Sequence, residues 1–183
     1  VVMVQDGPAF EKALKALDLD GVTVVHVVPP CEGIKSTAFA DLAATPVTSA
    51  VDESIAKITP DTTGKLLFTS GSTGMPKAVI NTQRMLCANQ EMIATTLAFL
   101  RDEPPVIIDW LPWNHTFGGN HNVGLTLYNG GSMYLDDGKP VPGGIEETVR
   151  NLREISPTVY FNVPRGFDML IAALRTDDEL RRK

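Results

Sequence analysis

The sequence predicts an α/β fold, in which a mostly parallel sheet carries helices on both faces. Short runs of β-branched and other apolar residues alternate with longer segments whose apolar residues recur at helical spacing, and this alternation is typical of βα units. Hydrophobic residues make up 43% of the 183 residues, which is enough to build a core. The sequence contains no internal repeat and no low-complexity tract. We therefore expect residues 1–183 to form a single continuous α/β layer.

The first part of the chain is predicted to contain two strands and one clear helix. Val1–Val4 is an apolar run suited to a buried strand, and Asp6 is placed to cap a helix that has Pro8 in its first turn. The β-branched run Val22–Val28 predicts the second strand. Residues 29–60 have weaker periodicity, so we expect a long connection with one short helix. One face of the predicted helix is apolar and consists of Phe10, Ala13, Leu14 and Leu17.

The alternation continues in the second part of the chain. Strands at Lys65–Thr69 and Ala78–Asn81 flank a glycine-rich turn, and an amphipathic helix follows them. The residues at helical spacing in that helix are Met85, Leu86, Asn89, Met92, Ile93, Leu97 and Leu100. The remaining predicted elements are, in order, a buried strand at Val106–Leu111, a polar-aromatic loop at Pro112–Asn122, a helix at Val123–Tyr128, a strand at Ser132–Leu135, a helix after Gly143-Gly144, a strand at Thr158–Val163 and a helix from Pro164. The inward face of this last helix is predicted to be Phe167, Leu170, Ile171 and Leu174.

Charge and cysteine usage exclude several classes of protein. Lys and Arg number 16 against 22 Asp and Glu, and a formal charge of −6 disfavours nucleic acid or anionic lipid as a partner. No apolar stretch approaches the roughly 20 residues of a membrane-spanning helix, so we expect no membrane insertion. Cys31 and Cys87 lie far apart without metal-site spacing, which predicts no metal site within the chain and no disulfide framework. A cytoplasmic location fits best.

The most specific segment is the loop Thr69-Ser70-Gly71-Ser72-Thr73-Gly74-Met75-Pro76-Lys77. Gly71 and Gly74 allow the backbone to approach an anion closely, and the neighbouring hydroxyl groups and backbone N–H groups can bind phosphate oxygens. Lys77 adds a full positive charge. The spacing fits neither a Walker A loop nor a dinucleotide-binding fingerprint. The alternative is a plain Ser/Gly turn beside a surface lysine, and the density of hydroxyls and glycines disfavours it.

This loop closely resembles the signature loop of the adenylate-forming superfamily, which includes acyl-CoA synthetases, aryl-CoA ligases and firefly luciferase. The resemblance implies that a carboxylic acid attacks the α-phosphorus of ATP, that pyrophosphate leaves, and that coenzyme A then captures the acyl-adenylate. It also implies roles for the loop residues. Thr69, Ser70, Gly71, Ser72, Thr73 and Gly74 would contact the phosphates of ATP, and Lys77 would stabilise the charge on the leaving pyrophosphate.

A second segment supports the resemblance. Leu111-Pro112-Trp113-Asn114-His115-Thr116-Phe117-Gly118-Gly119 follows a buried strand, where α/β folds place ligands. It resembles the superfamily motif whose histidine orients the carboxylate and the adenylate and gates the acyl pocket, a role that falls on His115. The alternative for His115 is a loop histidine bonded to a backbone carbonyl. Trp113 and Phe117 are candidate walls of an aromatic acid pocket, or packing residues.

The polar residues that follow have two interpretations. Asn120, His121 and Asn122 would either recognise a ring hydroxyl or cap the next helix. The whole loop most resembles that of feruloyl-CoA synthases, and Tyr160-Phe161-Asn162-Val163-Pro164 resembles the superfamily strand leading to the acyl pocket. His26 lies in an apolar strand and is interpreted as structural.

Several motifs of the superfamily are absent from residues 1–183. These are the glutamate that holds Mg²⁺, the aspartate that binds the ribose, and the C-terminal domain with its catalytic lysine. We expect them downstream, so the chain is identified as the ATP-phosphate-binding part of an N-terminal AMP-binding domain. Because several transition-state contacts would be missing, we expect the isolated chain to be inactive.

The resulting hypothesis is an ATP-dependent acid–CoA ligase, with feruloyl or another hydroxycinnamoyl group as the acyl group. The first alternative keeps the chemistry and makes the acid a long- or medium-chain fatty acid. The second alternative is a nucleotide-binding module without catalysis. The expected partners are a small carboxylic acid, ATP and coenzyme A, with Mg²⁺ as cofactor, and a homo-oligomer is left open.

Overall fold

The computed structural model describes residues 1–69, 74–178 and 180–182. The chain forms two compact units, Val1–Ile58 and Thr59–Lys183. None of the helices in the described part of the chain is both long and apolar enough to cross a membrane.

The first unit is a small parallel sheet with short helices. Its elements are β1 (Val2–Val4), α1 (Gly7–Lys15), β2 (Val24–His26), β3 (Thr37–Ala38), α2 (Phe39–Ala43) and α3 (Ser49–Ile55). The strands lie in the order β1-β2-β3, all parallel. As predicted, Asp6 caps α1, with its Oδ1 accepting from the Ala9 N–H at 3.2 Å. Its core consists of Val4, Leu14, Val24 and Cys31.

The connection 29–60, the apolar face of the first helix and the contact of His26 can be compared with the sequence-based expectations. The connection 29–60 holds a strand and two short helices instead of one helix. Of the predicted apolar face, Leu14 is buried on α1, whereas Phe10 is about half exposed. Leu17, which is also about half exposed, lies beyond the end of α1. The structural interpretation of His26 agrees with its contact, since Nδ1 lies 2.9 Å from the Ser36 Oγ.

The second unit carries the motifs. Its elements are β4 (Thr63–Thr69), β5 (Lys77–Thr82), α4 (Gln83–Thr96), a 3₁₀ turn (Ala98–Arg101), β6 (Val106–Asp109), a π-helix (Thr116–Asn122), α5 (Val123–Tyr128), β7 (Ser132–Leu135), α6 (Ile145–Glu154), α7 (Pro164–Thr176) and a 3₁₀ turn (Leu180–Arg182). The strands β4 and β5 form an antiparallel hairpin, whereas β6 and β7 pair in parallel through a crossover that contains α5. The core of this unit is built around β6 and contains Leu100, Ile107 and Leu125.

The fold class is confirmed as α/β with helices and parallel strands, but the described strands form three separate sheets and not one continuous layer. The predicted strand at Thr158–Val163 is wrong. A single backbone hydrogen bond, from the Thr158 N–H to the Val106 carbonyl at 3.0 Å, joins this segment to β6. One such bond does not make a ladder, and beyond it Val159 and Phe161 pack against the core as irregular chain.

Two helices bury only part of the apolar residues predicted at helical spacing. From the α4 pattern, Leu100 is in the core, and Ile93 and Leu97 pack against it. On α4, Met85 and Met92 are 57% and 61% exposed, and the buried residues are Gln90 and Ala94. On α7, Leu170 is buried, whereas Phe167 and Ile171 are about half exposed. An apolar helix face is expected to contact the protein core or an apolar ligand. On α4, the exposed Met85 and Met92 line a groove.

Candidate active site

The β4–β5 hairpin holds the two ends of the predicted phosphate loop. Thr69 and Lys77 are partners in the antiparallel register, so the strands bring the two ends of the loop together. Gly74 has a φ of +89° with open space where a side chain would stand, which is the backbone freedom predicted for this glycine. Lys77 is exposed at the first position of β5. The predicted contacts of Ser70, Gly71, Ser72 and Thr73 lie outside the described residues.

The hairpin leads directly into α4. Thr82 ends β5 and caps the helix, because its Oγ1 accepts from the Met85 N–H at 3.3 Å. Strand and helix are therefore joined without an intervening loop, at the end of the hairpin opposite the phosphate loop.

Asp109, the last residue of β6, organises the second motif. It is 3% exposed, and its Oδ1 accepts from the Leu111 N–H at 3.2 Å and from the Asn122 Nδ2 at 2.8 Å. Its Oδ2 accepts from the Trp113 Nε1 at 3.3 Å. The carboxylate thus ties the beginning and the end of the loop to the strand. The sequence analysis missed this residue, although an acidic residue closing an apolar strand is an available signal.

The loop expected at Pro112–Asn122 contains a π-helix, a wide turn that occurs often at functional sites. Its two glycines are required by close packing. A Cβ at Gly118 would lie 2.5 Å from the Pro112 carbonyl oxygen, and a Cβ at Gly119 would lie 2.1 Å from that of Trp113. Only glycine allows the π-helix to pack against residues 111–113.

His115 is the N-cap of the π-helix. Its Nδ1 accepts from the Phe117 N–H at 3.2 Å, so the proton of the neutral ring lies on Nε2. The structure places His115 on an exposed surface, and its ring bonds a backbone N–H instead of the backbone carbonyl considered in the alternative. The cap fixes the orientation of the ring, and the Nε2–H is left as a donor.

An aromatic cluster lies beside His115. The ring of His121 stands edge-on to Phe117 at 5.5 Å and to Phe161 at 4.6 Å between centroids. Its Nδ1 lies 2.8 Å from the Asn122 Oδ1. The helix-capping interpretation of Asn122 is wrong, because its side chain makes no cap bond to α5 and is held by Asp109 and His121.

Asn120 connects the π-helix to β5 and α4. Its Nδ2 donates to the Asn81 Oδ1 at 3.0 Å, and its carbonyl accepts from the Gln90 Nε2 at 2.6 Å. Within the described part of the chain, the Asn120 Oδ1 and the Gln90 Oε1 are buried without a hydrogen-bond partner. Gly124 leaves room for this contact, since a Cβ there would lie 2.3 Å from the Gln90 Nε2.

A groove of about 650 Å³ runs between α4 and the π-helix. Met85, Met92 and Asn89 line its α4 side, and His115, Phe117, Asn120 and His121 line its other side. Three of the predicted site residues, His115, Phe117 and Asn120, therefore come together. The other predicted residues that the structure describes do not line this groove: Thr69, Gly74, Lys77 and Trp113. The Trp113 indole is instead bonded to Asp109.

The segment at Tyr160–Pro164 is held by a polar network. The Asn162 Oδ1 accepts from the Trp110 Nε1 at 3.3 Å, and its Nδ2 donates to the Tyr160 Oη at 2.9 Å. Burial, and to a smaller extent the charge of Asp136, raises the pKa of the Tyr160 phenol. This tyrosine is therefore neutral at physiological pH. Both cysteines, the buried Cys31 and the exposed Cys87, are free thiols.

A family model described as "AMP-binding enzyme" matches residues 1–182. The chain belongs to this family. The AMP-binding fold is also found by comparison with solved structures. ATP-bound MatB from Rhodopseudomonas palustris superposes with a TM-score of 0.69 at 23% identity, over 97% of this chain and 33% of that chain.

Two of the relatives are fatty-acid ligases according to their names. A long-chain-fatty-acid–CoA ligase of Xenopus laevis is 27% identical over 124 residues, which cover 67% of this chain and 16% of that protein. A medium-chain-fatty-acid–acyl-carrier-protein ligase of Teredinibacter turnerae is 41% identical over 76 residues, which cover 42% of this chain and 12% of that protein. The chain thus spans less than a fifth of the length of either relative.

Proposed function

We propose that the protein containing this chain is an ATP-dependent acid–CoA ligase that acts through an acyl-adenylate. One observation carries the proposal: an AMP-binding chain has a groove with His115 on its wall, at the motif where the family resemblance places the carboxylate. In the first step a carboxylate oxygen bonds to the α-phosphorus of ATP and pyrophosphate leaves. In the second step the thiol of CoA attacks the acyl carbon and AMP leaves.

The roles of the residues follow from their positions. The His115 Nε2–H is available to donate to an oxygen of the carboxylate or the adenylate. Lys77 follows the phosphate loop with its charge unpaired among the described residues, and we assign it to the pyrophosphate leaving group. Thr69, Gly74 and the loop between them are assigned to the phosphates of ATP.

We include Mg²⁺ in the proposal because ATP is the proposed substrate. Mg²⁺ is commonly held by one or two carboxylates together with substrate phosphates, and would neutralise phosphate charge when bound. Residues 1–69, 74–178 and 180–182 contain no group of three side chains suited to hold a metal ion. We therefore assign no step to the metal. The cytoplasmic location also remains part of the proposal, consistent with two free thiols.

For the acid, we propose a hydroxycinnamic acid such as ferulic acid. Phe117 and His121 place two aromatic rings on the wall of the groove, and a flat aromatic ring packs well against such side chains. Asn89 adds a polar amide to the same groove, which a plain hydrocarbon chain would leave unpaired.

A fatty acid is the second candidate, because the relatives named above are fatty-acid ligases. The exposed Met85 and Met92 on α4 give this candidate a physical basis, since methionines adapt to flexible apolar chains.

The experiment is acid-dependent ATP–pyrophosphate exchange by the full-length protein, across cinnamic and fatty acids of graded length. We expect exchange with hydroxycinnamates. Exchange with fatty acids alone would select the second candidate, and exchange with no acid would refute the ligase proposal. Residues 1–183 expressed alone, which align with a third of MatB, serve as the control and are expected to give no exchange.

A further inference from the structure

The hydrogen bonds of Asn122 fix which way its amide is turned. Asn122 is fully buried, and one of its side-chain atoms lies 2.8 Å from the Asp109 Oδ1. An ionised carboxylate only accepts hydrogen bonds, so the atom facing it is the amide nitrogen. The amide oxygen of Asn122 consequently faces the ring of His121.

This orientation sets the tautomer of His121. The Asn122 oxygen can only accept, so the His121 Nδ1, 2.8 Å away, carries the proton and donates. In the neutral ring Nε2 is then a hydrogen-bond acceptor. Among the described residues, Asn122 is the hydrogen-bond partner of this ring, and the flanking aromatic rings of Phe117 and Phe161 hold it edge-on.

The Nε2 atoms of the two groove histidines therefore have opposite hydrogen-bonding roles. His115 accepts at Nδ1 from a backbone N–H and offers a donor at Nε2, whereas His121 donates at Nδ1 and offers an acceptor at Nε2. A carboxylate needs a donor, which suits His115. A hydroxyl group on the body of the acid needs an acceptor, which suits His121.

We propose that the His121 Nε2 accepts a hydrogen bond from a hydroxyl group on the acyl part of the substrate, so that the groove selects hydroxylated aromatic acids. The inference rests on the proposed ligase function and identifies the specificity-determining residue of that site. Asn122 and Asp109 are positioning residues, because they act by holding the ring of His121 in one tautomer. An acid without the hydroxyl leaves the acceptor unpaired, which penalises its binding.

The test compares 4-hydroxycinnamate with cinnamate, which differ by one hydroxyl group, in pyrophosphate exchange by the full-length protein. The readout is the ratio of the two kcat/KM values. One neutral hydrogen bond corresponds to about a fivefold preference for the hydroxylated acid. The variant His121→Phe keeps the ring and removes the acceptor, so its ratio should fall to about one while cinnamate is still activated. The control is His26→Phe, which alters a histidine of the first unit and should keep the wild-type ratio.

The possible results distinguish failure of the His121 inference from failure of the ligase proposal. A wild-type ratio near one, or an unchanged ratio in His121→Phe, would overturn the inference and leave the ligase intact. Absence of exchange with every acid would refute the ligase proposal itself.

A second measurement does not depend on activity or on the folding of a variant. Nitrogen-15 NMR of histidine-labelled wild-type protein reports which ring nitrogen bears the proton. We expect the proton on Nδ1 in His121 and on Nε2 in His115, and the reverse assignment for His121 would overturn the inference.

Discussion

Replacing Asp109 with asparagine tests whether this carboxylate holds the loop at residues 110–122 in place. The side chain accepts from the Leu111 N–H, the Asn122 Nδ2 and the Trp113 Nε1. Asparagine has the same shape but one accepting oxygen instead of two. Whichever way its amide turns, an NH₂ group must face at least one donor. The least costly orientation places the NH₂ group against Trp113 and keeps the other two bonds.

The magnitude follows from these bonds. The bond to Trp113 is lost, and the other two change from charge-assisted to neutral, each weakening by about 1 kcal/mol. The total is partly offset, because a neutral amide costs less to bury than a carboxylate. We therefore expect Asp109→Asn to destabilise the local structure by about 2 kcal/mol, which raises the population of locally opened molecules about thirtyfold.

Amide hydrogen exchange measures this opening in the full-length protein. The Gly119 N–H, which bonds to the His115 carbonyl at 2.8 Å, reports on the π-helix. Peptides covering residues 110–122 should exchange about thirtyfold faster in the variant. Asp137→Asn changes an exposed aspartate close to β7 and should leave these peptides unchanged. Unchanged protection of the loop in Asp109→Asn would refute the reasoning.

Four further outcomes are expected. Lys77→Ala should lower kcat about a hundredfold and raise the KM for ATP far less, and weaker ATP binding at an unchanged kcat would contradict its role with pyrophosphate. His115→Ala should impair adenylate formation by a similar factor in single-turnover assays. A less stable protein with full specific activity would make it a packing residue. Gly119→Ala should displace the π-helix from Trp113, because the added Cβ would overlap the Trp113 carbonyl oxygen. We expect a loss of activity and a decrease of about 1–3 kcal/mol in the free energy of unfolding. Burial raises the pKa of Tyr160 above its ordinary value of 10.0, so its neutral form favours the folded state below about pH 10 and this contribution declines as the pH rises further. As the pH is raised from about 8 to 11, the melting temperature of Tyr160→Phe should therefore fall less than that of the wild-type protein.

The elements that could be predicted from the sequence are those in which local signals agree. The helix Val123–Tyr128 and the strand Ser132–Leu135 have the predicted bounds, because a glycine-containing turn at Asn129–Gly131 separates two distinct periodicities. The helix beginning at Pro164 was also predicted, since proline suits the first position of a helix.

The errors arise where tertiary contacts decide the outcome. The β-branched segment Thr158–Val163 has strand propensity, but only Thr158 finds a backbone partner on β6, and propensity alone does not make a strand. On α4 the periodicity was correct, and Ile93 and Leu97 from this pattern pack against the core. The sequence cannot distinguish an apolar face that packs inside the protein from one that lines a groove, as Met85 and Met92 do.

The grouping of some candidate residues could be predicted from the sequence, whereas their roles stay predictions. His115, Phe117 and Asn120 were identified from a motif, and the structure places all three on one groove. Asp109 and the tautomer of His121 depend on hydrogen bonds between residues of different elements, which no local pattern contains.

The attachment of the loop at both ends to Asp109 has an evolutionary consequence. The frame is set by Asp109, Trp113 and Asn122, together with the two glycines that permit close packing. Between these fixed points His115 caps the π-helix, and Asn120 and His121 bond to Asn81 and Asn122. Phe117 lines the groove and takes no part in these bonds. We therefore expect substitutions at position 117 to change which acid the proposed ligase accepts while the hydrogen-bonded frame of the loop stays intact.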